Sequence, residues 1–411
     1  MILTPEQSSL LNGGRGPAAR KAMQILAALG KIYGAERMLP VSSVQVSGVS
    51  YDNLGDAGLE FLAELADGGG KACVLTTLNP AGMDIEAWQS LGIDSGFAQR
   101  QQQVLEAFSR MGILATCTCT PYLVGNLPHF GEHIAWSESS AVCFANSVIG
   151  ARTNREGGPS ALAAALTGFT PAYGYHLDQN RIPNLTVNVA SPLNGSDEFG
   201  LLGIVIGNAL EKRGSKLVPY IVGIPSASLE ELKSFCASLA TYGGAALFHM
   251  QGITPEASFY QPPSDSILVT QQAIEAAAKS VNSASSSPFS TENHSLASPS
   301  IDFVTLGCPH LSIREVARIA ELLRGQQVKR EFWITTARPT KQLADRLGYS
   351  AVIESAGARL AADTCCVVAP ISRRFSSIAT DSAKACYYAF AKNGWSTHLV
   401  PFDQAVREAL K

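Results

Sequence analysis

The sequence predicts a multi-lobed α/β protein with mostly parallel sheets flanked by helices, and three observations lead there. Apolar runs of strand length alternate with segments whose apolar residues recur at helical spacing, the pattern of parallel strands joined by helical crossovers. The chain has 411 residues, more than one ordinary core holds, so two or three lobes are expected. Hydrophobic residues make up 46% of it and charged ones only 16%, a balance that suits large buried sheets.

Taken in order, AARKAMQILAALGKIYG reads as a helix whose end is punctuated by Gly30 and Gly34. KACVLTTLNPAG and GILATCTCTPYLVG each read as a strand running into a loop. KLVPYIVGIP reads as a strand followed by a helix, with Ser228 and Glu231 at capping-box spacing. GAALFHMQG and REFWITTARP are further buried-strand candidates. IDFVTLG is an apolar run handing over to IREVARIAELL, where Ser312 and Glu315 form a second capping box. One stretch breaks the alternation. Residues 280–300, SVNSASSSPFSTENHSLASPS, are Ser-rich and hold two prolines, which reads as a solvated, mobile insertion. It divides residues 1–279, the N-terminal lobes, from a C-terminal α/β lobe over 301–411. There is no internal repeat.

Composition excludes several classes. The formal net charge is −3 and no basic block appears, which argues against a nucleic-acid surface. No apolar run approaches the roughly 18 residues of a membrane helix. The N-terminal MILTPEQSSLLNGGRG lacks the basic-then-apolar order of a signal peptide, so a cytoplasmic location is expected. The nine cysteines, odd in number and irregular in spacing, fit buried thiols or ligands better than disulfides.

The turn TLGCPHLS places a thiol, Cys308, at the carboxyl end of a strand and beside a helix N-terminus. Ligands bind at that edge of open α/β sheets, and unpaired N–H groups there favour a thiolate. Cys119 in CTCTPYL and Cys365 in ADTCCVVAP share the setting, with Cys117 and Cys366 as close alternatives. Three such thiolates suit an iron–sulfur cluster with one open iron, a Lewis acid for a substrate hydroxyl; three buried structural thiols are the plainer reading. Gly131 to Gly168 is dense in polar groups: Asn146, Arg152, Asn154, Arg155 and Glu156, then a Gly157-Gly158-Pro159 turn. Arginine is the natural bidentate clamp for a carboxylate or phosphate, and Glu156 is its ion-pair partner or a base. The alternative is a buried network bracing two lobes.

The motifs SGVSYDNLGDAGLEFL, VLTTLNPAGMD, CTCTPYLVGNLPHFGEHIAWSESSAV, FANSVIGARTNREGGPSALAAALTG, TPAYGYHLDQNR, TLGCPHLS and DTCCVVAP run almost end to end. Together they resemble the aconitase X family, over roughly residues 2 to 408 apart from the Ser-rich stretch. The resemblance implies an aconitase-like fold and an iron–sulfur cluster held by Cys119, Cys308 and Cys365. It also implies a lyase that dehydrates a small hydroxy acid. Arg155, Asn154 and Ser140 are the candidates for holding the substrate's acidic group, with Ser139 and Asn146 beside them. Thr77 and Asn79 are candidate second walls. Lys384, Glu156 and Ser140 are the candidate catalytic groups.

Three departures qualify the match. The small swivelling domain of the superfamily is absent from the sequence, so either a separate small subunit completes the protein or the large part works alone by altered chemistry. Gln45 stands where a family histidine is expected, and an amide shuttles no proton near neutrality. Asp381 and Ala383 replace the Asn and Gly of a TNSGK-like motif. The first expectation is therefore an iron–sulfur dehydratase of a cis-3-hydroxy-L-proline-type substrate working with a small subunit. The alternatives are a phosphomevalonate dehydratase large subunit, and a stand-alone isomerase or cyclase, with or without metal. A non-catalytic binding subunit comes last, because it requires loss of the cysteines or of the Arg-rich centre.

Overall fold

The computed structural model describes residues 1–214, 217–283 and 301–411. Three all-parallel sheets organise it. The first orders its strands Leu75–Leu78, Ser43–Val46, Ala135–Trp136. The second runs His249–Met250, Pro219–Val222, Leu185–Val189, Ser266–Val269. The third runs Arg359–Ala362, Glu331–Thr336, Phe303–Leu311, Ser377–Thr380, Ser396–Leu399. An antiparallel ribbon pairs Met38–Pro40 with Phe169–Pro171. Every residue of Phe303–Leu311 is buried, as a central strand covered by helices on both faces requires.

Each sheet has its own apolar core. The first gathers Met23, Leu26, Val44, Phe108 and Leu162; the second gathers Phe199, Phe235, Phe248 and Leu239. The third gathers Val304, Val316, Ile319 and Ile334. A fourth cluster joins Met83, Leu91 and Ile93 to Phe303, Trp333 and Ile378, and so welds the first lobe to the third. Both capping boxes form: Ser228 with Glu231 opens Leu229–Tyr242, and Ser312 with Glu315 opens Ile313–Leu323. Among the described residues no helix is long and apolar enough to cross a membrane.

Two strand expectations change. GILATCTCTPYLVG makes only an isolated bridge, Leu114 with Thr77. Beyond it Thr116 uses its hydroxyl on the Leu78 backbone and Cys117 takes a φ of 42°, so the regular ladder stops, with the Thr118 N–H returning to the Leu78 carbonyl. In GAALFHMQG only His249–Met250 pairs. The helix Pro17–Ile32 runs through Gly30 and ends before Gly34. Of the Ser-rich stretch, residues 280–283 still belong to the helix Gln271–Ser283; the remainder, 284–300, lies outside the described residues.

Candidate active site

The three candidate thiols come from three turns, each built differently. Cys308 sits in a bulge of its strand. Leu306 pairs with Ile334 and Leu311 with Thr336, five steps along one strand against two along its neighbour. Gly307 makes the bulge possible, with a φ of 117° and no room for a Cβ, which would stand 2.2 Å from the Thr335 carbonyl oxygen. A cis peptide joins Cys308 to Pro309. Cys119 lies between the Thr118 N–H, bonded to the Leu78 carbonyl, and the turn Pro121–Leu123. Cys365 follows the strand Arg359–Ala362 and Asp363 (φ 64°), and its carbonyl accepts from the N–H groups of Val368 and Ala369.

These turns meet at one cavity of about 230 Å³ between the first and third lobes. Ser47, Asn53, Asn79, Pro80, Cys119, Ser137, Glu138, Ser139 and Arg155 line one side. Cys308, Cys365, Val367, Val368, Lys384, Tyr388 and Lys392 line the other. A larger cavity, about 650 Å³, lies at the carboxyl edge of the second sheet. It holds no thiol and no cation, and its one acid, Glu231, is spent on a helix cap. Chemistry, not size, selects the smaller.

The floor of that cavity is an ion pair. Lys384 Nζ stands 2.5 Å from Glu138 Oε1 and 2.8 Å from Ser140 Oγ. The other Glu138 oxygen accepts the Ala141 N–H at 2.6 Å, capping the helix Ser139–Phe144. Burial raises the Glu138 carboxyl, but the Lys384 charge and these hydrogen bonds outweigh it and leave the group below the usual carboxylate range. Burial lowers Lys384, and the Glu138 carboxylate more than offsets it, so the amine stays an ammonium. Ammonium carries three donors, and among the described residues two of them are taken, by Glu138 and Ser140. Arg155 is exposed and, among the described residues, has no hydrogen-bond or ion-pair partner. Asn79 Oδ1 is buried and also without a partner.

The other candidates are spent on bracing. Asn146 bonds Thr153, the Ala246 carbonyl and Arg181. Asn154 joins Tyr173 to Tyr175. Glu156 accepts from Ser160 and Thr170, and burial raises its carboxyl. Thr77 donates to the Val44 carbonyl and accepts from Asn126. None of these four lines the cavity. Ser139 lines it, and Ser140 touches it through Lys384. Reading the sequence missed Glu138, whose signal was an acid directly before the SSAV helix start. Gln45 is a buried tie: its amide donates to the Thr118 carbonyl at 3.1 Å and accepts from the Glu138 N–H at 3.3 Å.

Cys119, Cys308 and Cys365 are 7%, 9% and 6% exposed. Burial pushes each thiol up to about 12; a neighbouring thiol adds to the rise in each, Glu138 adds to it at Cys119 and Cys308, and Lys384 opposes it. Among the described residues no group of Cys, His, Asp or Glu is arranged to hold a single metal ion. A cluster differs, because its own sulfides lie between the protein thiolates. Three converging thiols that need a strong Lewis acid to lose their protons, beside a fixed cation that offsets thiolate charge, fit a cluster as donors.

Aconitase X first, second and third domain descriptions match residues 1–179, 183–279 and 301–411. The Methanothermobacter thermautotrophicus phosphomevalonate dehydratase large subunit is 46% identical over 391 residues, 94% of each chain. A Hypocrea jecorina cis-3-hydroxy-L-proline dehydratase is 34% identical over 396 residues, 94% of this chain and 65% of that one. The crystal structure of Thermococcus kodakaraensis aconitase X in its holo form superposes with a TM-score of 0.90 at 43% identity, over all of both chains.

Proposed function

The chain belongs to the aconitase X family, and from that premise we propose that it is the large subunit of a phosphomevalonate dehydratase, a hydro-lyase completed by a separate small subunit. This reverses the order expected from the sequence, where a hydroxyproline substrate came first. The large-subunit relative is 46% identical and matched along 94% of its length, whereas the hydroxyproline enzyme is 34% identical and matched along 65%. The nine free cysteines suit a reducing, cytoplasmic setting. The isomerase or cyclase alternative rested on Gln45 and on the missing small domain; Gln45 ties two backbones, the Thr118 carbonyl and the Glu138 N–H, and the large-subunit relatives account for the second.

The observation that carries the proposal is one cavity gathering Cys119, Cys308 and Cys365 with Arg155 and Lys384. Cys119, Cys308 and Cys365 would hold an iron–sulfur cluster, which when bound would supply Lewis-acid chemistry for a leaving hydroxyl. The chain's own groups do the rest of the positioning. Arg155 offers an unoccupied guanidinium fork to one anionic end of the substrate. Lys392, 2.8 Å from Asp52, adds positive charge at the exposed rim. Lys384 keeps its charge and has one N–H left for the other anionic end. Asn79 Oδ1 accepts from a substrate hydroxyl. Glu138 has both oxygens engaged and a lowered affinity for protons, so it holds Lys384 and does not take the substrate proton. That acceptor is assigned to the small subunit.

The test combines the anaerobically reconstituted chain with the small subunit of a related pair and offers phosphomevalonate and cis-3-hydroxy-L-proline. Water loss from the phosphorylated acid alone, and only with both subunits, is expected. Turnover of the hydroxyproline, or by this chain alone, contradicts the proposal.

A further inference from the structure

We infer that His310 is the positioning residue that locks the three cysteine-bearing turns into one unit. The inference rests on the reading of Cys119, Cys308 and Cys365 as cluster ligands, and deepens it by naming what fixes their arrangement. His310 is fully buried, and all four of its polar groups are used. Its Nδ1 lies 3.0 Å from Thr118 Oγ1, next to Cys119. Its Nε2 lies 2.9 Å from the Thr364 carbonyl oxygen, next to Cys365. The residue itself sits two places after Cys308, in the same bulge. Its backbone N–H points at Cys119 Sγ, 3.2 Å away. Its carbonyl accepts from Lys233 Nζ at 3.0 Å, and that ammonium is held by Glu315 at 2.5 Å. The second lobe thus backs the bulge.

The network fixes the tautomer. A carbonyl only accepts, so Nε2 carries the proton and Nδ1 is the acceptor. The Thr118 hydroxyl then donates to Nδ1 and accepts from the Thr120 N–H at 3.1 Å. One hydroxyl hydrogen and one ring hydrogen satisfy both arms. No other described residue has a hydrogen bond to both Thr118 and Thr364. Outer partners of this kind orient ligands, and losing one weakens metal retention by about 10–100-fold.

Two variants separate the arms. His310→Asn keeps an acceptor for Thr118 but withdraws the donor from Thr364; His310→Gln reaches Thr364 but loses the acceptor. Thr118→Val removes the hydroxyl alone, and Thr118→Ser restores it. Each protein is reconstituted anaerobically with iron and sulfide. Iron release to a chelator and the electron paramagnetic resonance spectrum are then recorded beside apo-protein thermal unfolding. Release about 10–100-fold faster with an altered spectrum is expected for both His310 variants and Thr118→Val, with Thr118→Ser close to wild type. Wild-type release and spectra in the His310 variants would overturn the inference. So would equal release from Thr118→Val and Thr118→Ser, the pair that decides if the His310 variants do not fold. A wild-type chain that takes up no iron sinks the cluster reading itself, and this inference with it.

Discussion

Two buried ion pairs look alike in burial and charge, yet they do different work. Arg181 is fully buried against Glu256. Its Nε reaches both Glu256 oxygens at 3.0 and 2.9 Å, and its terminal nitrogens bond Asn146 and the Tyr175 carbonyl. Lys384 is nearly as buried against Glu138, but it borders a cavity and keeps a donor free. A buried charge is tolerable only when paired and hydrogen-bonded. The first pair is closed on itself and holds a lobe together. The second stops one bond short among the described residues, and it lines the same cavity as the three thiols. Incomplete satisfaction beside a cavity, not buried charge, marks the site.

The sharpest way to break this contrast is to remove each cation in turn. Arg181→Met leaves Glu256 buried and unpaired, so denaturant unfolding should show a loss of about 3–5 kcal/mol, with kcat of the folded fraction unchanged. Lys384→Met should instead lower kcat about 10²–10³-fold in the complete enzyme, and Lys384→Arg should not rescue it, because a planar fork does not replace a point donor. If both variants lose stability alone, the two pairs are equivalent and the contrast fails.

A smaller effect sharpens the open side of the site. Arg155→Ala should raise KM about 10–100-fold, the worth of about 1.5–3 kcal/mol for a charged hydrogen bond, while the unfolding midpoint holds to within about 0.5 kcal/mol. A stability loss with unchanged KM would place Arg155 with the bracing residues.

The pH dependence of stability tests a third buried carboxyl, Asp381, which accepts from Ser196 at 3.0 Å. Burial, aided by the Glu315 charge, pushes it up to about 7, against about 3.9 in the unfolded chain. Between those values the folded state keeps a proton that the unfolded state has released, so stability falls as pH rises from about 4 to about 7. Asp381→Asn should flatten that slope, worth on the order of 4 kcal/mol at pH 7; an unchanged pH profile contradicts it.

How much of this was legible in the sequence follows the same division. The parallel α/β class, both capping boxes and the strands Pro219–Val222 and Glu331–Thr336 declare themselves by local pattern and need no partner to be recognised. The three cysteines stood out because each interrupts an apolar run at a turn. The polar segment around Asn146 was harder to read, because a polar residue spent on bracing and one spent on binding share a composition. Only the partners tell them apart: Asn146 serves Arg181, 35 positions away. Glu138 and His310 are meaningful through contacts 246 and 191 residues distant, which no periodicity encodes.

The most direct test of the cavity as a cluster site is iron and acid-labile sulfide per chain, with a visible spectrum, after anaerobic reconstitution. Wild type is measured beside Cys119→Ser, Cys308→Ser and Cys365→Ser, with Cys117→Ser, Cys366→Ser and Cys236→Ser as controls. The wild type and the three controls should load stoichiometrically and turn brown, and each of the first three variants should lose iron and colour. A colourless wild type, or loading that survives loss of Cys308 but not of Cys366, would contradict the assignment.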